Sequence, residues 1–180
     1  MNIINNQRYK STEEKIQNAL FSLLKFKKYD EILIKEICYE AGINRSSFYS
    51  HYSDINDLMI KTETMLSNKI FKIFDLNKDW NDLVFISLFK FLKENKEFYN
   101  AYLQSNTNSF MERNDFLSYI KAIKSHSKFL SLNNDETIYH MAFFAGGLKA
   151  LCKSWIAKGC KESPEQMCNI LKNEYNKNFL

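Results

Sequence analysis

Apolar residues at helical spacing organise most of the chain. Ile16, Leu20, Leu23 and Leu24, with Ala19 beside them, mark one face of a helix over residues 12–27. Thr12 suits its N-cap, and Glu13 and Glu14 favour the positive end of the helix dipole. "KKYDE" breaks the pattern, and a short helix follows from about Ile34 to Ala41, burying Ile37 and Cys38. Gly42 fits a left-handed C-terminal position with Ile43 as the hydrophobic contact behind it. Asn44 then caps a third helix of barely two turns, ending near His51, with Phe48 and Tyr52 on its inner face. So short a helix holds its shape only by packing on its neighbours. A supporting helix, a second helix, a glycine turn and a third helix make the helix-turn-helix arrangement.

The rest of the pattern predicts a larger helical body. Asp54 or Ser53 caps a long helix to about Phe74, with Leu58, Met65, Leu66, Ile70 and Phe71 inward, and residues 75–79 form a loop. "WNDLVFISLFKFLKEN" and "KEFYNAYLQS" give two more helices, and another spans Phe110 or Met111 to about Phe129. A long helix over 136–158 closes at Gly159. Ser163-Pro164-Glu165-Gln166 then starts the last helix, with Ser capping, Pro at the first position and Gln completing a capping box. The fold class is all-α with about nine helices, three in a head and six in a body. The expected domains are residues 8–53, a helix-turn-helix head, and 54–180, a helical body.

Composition agrees with this and removes several function classes. At 180 residues, with 4 Gly and 1 Pro, breakers are too few for a sheet protein; of the 15 Phe and 10 Tyr most must be core, and such a supply could also line a large apolar pocket. The net charge of +4 permits an anionic partner without requiring one. Arg8, Lys10, Lys15, Lys25, Lys27 and Lys28 form a basic patch, but acidic side chains balance the basic ones over residues 1–60. Cys38, Cys152, Cys160 and Cys168 lack metal-ligand spacing, and His51, His126 and His140 lie scattered between them. Neither a metal nor another cofactor is expected. No nucleophile–histidine–acid motif or glycine-rich phosphate loop argues for an enzyme. The start has no apolar signal core, and the longest apolar run, "LVFISLF", is too short to span a bilayer, so a reducing cytoplasm is expected.

The stretch "LLKFKKYDEILIKEICYEAGINRSSFYSHYSDINDLM" resembles the DNA-binding domain of the tetracycline-repressor (TetR/AcrR) family of bacterial transcriptional regulators. Ile37, Ala41, Gly42 and Ile43 match its "I-A-x-x-A-G-V" run, and Phe48, Tyr49, His51, Tyr52 and Leu58 match "F-Y-x-H-F-x-x-K-x-x-L". Residues 143 to 168, with "GGLKALCKSWIAKGCKESPEQM", are similar to the branch containing dihydroxyacetone-kinase regulators, where a W-x-x-x-G helix end precedes an S-P-E start. The resemblance implies DNA contacts from Lys35 and from Asn44, Arg45, Ser46, Ser47, Tyr49 and His51 on or beside the recognition helix, although His51 suits a cap or hydrogen bond at the helix end better than a base contact. Arg45 has the chemistry to fork onto a guanine edge or a phosphate. Two positions depart from the family. Leu33 stands where a capping Thr or Ser is common, and Ile55 where a phosphate-binding Lys is common.

The resemblance further implies a homodimer through the last two helices, bound to double-stranded DNA at a palindromic operator and acting as an effector-responsive repressor. Its pocket would be lined from Met65, Phe89, Tyr102, Phe116, Tyr119 and Phe144, which suits a small apolar or aromatic effector. The competing expectation is a binding module that has lost operator binding and works through a protein partner, on the strength of Leu33 and Ile55. Gly146-Gly147, inside a helix, reads as either a close helix approach or room for a ligand.

Overall fold

The computed structural model describes residues 3–75, 81–104 and 134–175. All regular structure among them is helical: α1 (Ile3–Leu24), α2 (Ile34–Ala41), α3 (Arg45–Tyr49), α4 (Ile55–Asp75), α5 (Asp82–Glu94), α6 (Lys96–Gln104), α7 (Asn134–Ala157) and α8 (Pro164–Tyr175), with a 3-10 turn at Tyr29–Glu31 between α1 and α2. The helix expected over 110–129, with Phe116 and Tyr119, lies outside the described residues, as do residues 76–80.

α1 is the one helix whose start differs substantially from expectation. It begins nine residues before Thr12, whose hydroxyl donates to the Arg8 carbonyl at 3.0 Å, one turn back, instead of capping. No Gly or Pro interrupts residues 3–11, and Tyr9 has a packing partner far along the chain, in His51. Elsewhere the local signals act as their chemistry requires. Asn44 Oδ1 accepts from the Ser47 amide at 2.8 Å. Asp54 Oδ1 accepts from the Asp57 amide, and Asp57 Oδ2 from the Ser53 amide, closing both arms of a cap at the start of α4. Ser163 and Gln166 exchange the two bonds of a capping box, at 2.7 and 3.1 Å. Leu33 supplies no side-chain cap to α2, but Glu36 Oε2 still accepts from its amide.

The buried core is continuous from head to body. Ile16, Leu20, Ile37, Phe48 and Tyr52 fill the head, and α4 adds Leu58 and Met59 to it. Farther along α4, Leu66, Ile70 and Phe74 enter the body core with Phe85, Phe89, Phe98, Trp155 and Leu171. α4 is therefore common to both ends of the molecule. α8 lies on α5, where the Lys172 ammonium holds Asp82 at 2.7 Å. Lys93 Nζ donates to the Glu162 carbonyl at 3.0 Å, tying the α7–α8 turn to the end of α5. All four cysteines are free and buried, and burial raises each thiol, that of Cys152 to about 12. They behave as small core residues rather than reactive thiols.

Candidate nucleic-acid interface

α2 and α3 are joined by a turn with little freedom. Gly42 has φ +64°, which an L side chain resists, and its amide donates to Tyr39 O at 3.1 Å. Ile43 N donates to Cys38 O at 2.9 Å and leaves the chain aimed into Asn44. Behind α3, Phe48 is fully buried and meets the Tyr52 ring at 5.8 Å. Gln17 Nε2 donates to the Tyr52 hydroxyl at 3.3 Å, and burial raises that phenol so that it stays neutral. The helix is thus fastened from inside, and its outer face is left to solvent.

That face carries Asn44, Arg45 and Ser46 exposed, Ser47 half-buried and Tyr49 54% exposed, with Lys35 exposed on the first turn of α2. Arg45 makes no ion pair among the described residues, so its guanidinium is available to an external acceptor. Beside Lys35, Glu36 is held below the usual carboxylate range, first by its hydrogen bond to Lys27 at 2.5 Å. The amide of Ser47 is already taken by the Asn44 cap, but the exposed hydroxyl of Ser46 and the phenol of Tyr49 remain to meet a ligand.

His51 stands apart from the other six. It is 8% exposed, with its ring stacked on Tyr9 at 3.8 Å between centroids. Burial lowers its basicity, with Glu13 opposing and Lys61 adding to the effect, and its Nδ1 has no hydrogen-bond partner among the described residues. It supports α3 instead of facing outward with Arg45. Two contributors escaped the sequence reading. Tyr9 fell outside the helix predicted from residue 12, and Lys61 reaches His51 from the far side of a turn. The spacing Asp57–Lys61, four apart on a helix, was the available signal for the second. Ile55 is half-buried against the core, so packing occupies the place where the family commonly puts a cation.

The described members of the expected effector lining are distributed through the body. Phe89 is buried with its ring 5.6 Å from Trp155, edge to face, and Tyr102 is buried and stacked on Phe98 at 5.6 Å. Phe144 is half-buried 6.1 Å from Phe85. Met65 instead lines an open cleft of about 700 Å³ between α1 and α4, together with Lys10, Glu14, Phe21 and Lys69. Thr62 Oγ1, the Tyr99 hydroxyl and Trp155 Nε1 are buried without a hydrogen-bond partner among the described residues. Gly146 is exposed, with nothing within 4 Å of where a Cβ would stand, so a close helix approach does not explain it among the described residues.

A helix-turn-helix head continuous through a shared helix with an all-helical body is the architecture of a one-component transcriptional regulator. The family model for a transcriptional regulator C-terminal region, TetR_C_8, matches residues 78–177, and the chain belongs to the TetR family. Solved structures share the fold. The dihydroxyacetone kinase operon activator DhaS superposes with a TM-score of 0.69 at 20% identity, covering 91% of this chain and 93% of its own. A transcriptional regulator (TerR/AcrR family) from Aquifex aeolicus VF5 gives 0.69 at 20% identity, covering 93% and 99%. A TetR transcriptional regulator from Streptococcus agalactiae 2603V gives 0.55 at 17%, covering 96% and 97%. No curated protein matches the sequence significantly.

Proposed function

We propose that this chain is a sequence-specific DNA-binding regulator that acts as a homodimer on an inverted-repeat operator and is released by a small effector. The observation that carries the reading is the exposed polar face of α3, with Arg45 making no ion pair among the described residues, on a helix locked at both ends. In this reading Lys35, Asn44, Ser46, Ser47 and Tyr49 position the helix on phosphates or short-range base edges, and Arg45 reads sequence. His51 serves from beneath. The head, residues 8–53, binds DNA, and residues 54–180 bind effector and form the dimer. The effector is a small, largely apolar or aromatic molecule, and one hydrogen-bonding group on it would satisfy a buried donor such as Tyr99 or Trp155.

The test is selection of duplexes by full-length protein from a random DNA library. The expected product is one inverted repeat, with half-sites about one helical turn apart, bound with a steep salt dependence. Recovery of no common sequence would overturn operator binding and favour the partner-binding module. We further propose that an occupied operator represses its promoter. The sign is read by a promoter fusion, since DhaS, of similar fold, is named an activator.

A further inference from the structure

α3 has five residues, too few to hold an orientation unaided. Its C-terminal end is gripped from two sides. From α4, Lys61 Nζ donates to the His51 carbonyl at 3.0 Å, lies 5.3 Å from the centre of the Tyr52 ring, and is itself steadied by Asp57 Oδ2 at 2.9 Å. From α1, Tyr9 stacks on the His51 ring, and its hydroxyl lies 3.5 Å from the Ser50 carbonyl. An ammonium at the carbonyl end of a helix is favourably placed for its dipole. We infer that Lys61 is a positioning residue: it sets the pose of the recognition helix. This rests on the DNA-binding reading above.

The reason to single out Lys61 is its place on a rigid rod. The same helix runs on through Leu66, Ile70 and Phe74 into the body core, where Phe74 meets Phe85 at 6.3 Å. Phe74 lies 13 residues beyond Lys61, about 20 Å along the axis at the helical rise. Lys61 therefore makes its polar contacts to the end of α3 from a helix whose far half is packed in the body core. Lys61 also borders the open cleft between α1 and α4, which Glu13 and Glu14 line from the α1 side.

The experiment compares full-length wild type, Lys61→Met and Lys61→Arg. Methionine keeps the apolar stem and removes the charge and donors, whereas arginine keeps both. Two probes are used: the duplex recovered by selection, and a scrambled duplex of the same composition. Hydrogen exchange of residues 45–52 is followed without DNA. Lys61→Met is expected to speed that exchange about tenfold, as loss of a charged hydrogen bond implies. It should also weaken the selected duplex about tenfold while leaving the scrambled duplex and the salt slope unchanged. Lys61→Arg should restore most of both. Equal losses on the two duplexes, with a slope shallower by about one, would make Lys61 a phosphate contact and overturn the inference. Unchanged exchange would also overturn it. If selection yields no duplex, the DNA-binding reading fails, and the exchange measurement alone decides whether Lys61 holds α3.

Discussion

At the scale of single residues, the division of labour on α3 follows from which side chains have partners. Phe48 and Tyr52 are buried, and Asn44 is committed to its cap. Arg45 is exposed, cationic and without an ion pair among the described residues. Removing it should cost about 1–3 kcal/mol on the selected operator and narrow the margin over scrambled DNA. Fluorescence anisotropy of Arg45→Ala on both duplexes measures this, and equal losses would assign the side chain to phosphate. Arg45, Gly42 and Asn44 were legible because their neighbours in sequence define their environment. His51 was not. Its burial depends on Tyr9, 42 residues away, and no local periodicity carries that information.

At the scale of elements, capping chemistry located most helix ends, and it did so through contacts confined to four or five residues. The start of α1 shows where such signals fail: Thr12 followed by two glutamates has every mark of a cap, yet its hydroxyl bonds back within a helix already under way. Propensity cannot decide between the two, and the docking of Tyr9 on His51 favours the longer helix. The α2–α3 turn is the opposite case, since its geometry is dictated by one residue. A Cβ on Gly42 would meet nothing within 4 Å, so the cost of Gly42→Ala is that of the left-handed backbone alone. That is about 1–2 kcal/mol. Thermal and urea unfolding should show this loss, with Gly42→Asn falling between the two, because Asn tolerates the conformation. A neutral Gly42→Ala would mean that the turn relaxes without disturbing the stability of the head.

At the scale of the molecule, α7 presents an inward and an outward face. Leu148, Cys152, Trp155 and Ile156 are buried inward, while Tyr139 and Phe143 are 75% and 76% exposed. Ala142, Gly146 and Ala150 continue the outward side as small residues that let another backbone approach closely. α8 adds Ile170, 39% exposed. In the proposed dimer, α7 and α8 of two copies related by a two-fold axis would form a four-helix bundle that covers these positions. The head also exposes apolar side chains, Phe26 at 84% and Tyr39 at 89% among them, so the choice of α7 and α8 rests on the run of outward positions along α7. A dimer built at α7 and α8 leaves both copies of α3 free, and operator geometry then sets them about 34–36 Å apart when bound. Light scattering of the full-length chain should give twice the monomer mass. A Phe143→Glu, Ala150→Glu double variant should give a helical monomer that binds one half-site weakly and without cooperativity. Persistence of the dimer in that variant would move the interface off α7 and remove the proposed spacing of the recognition helices.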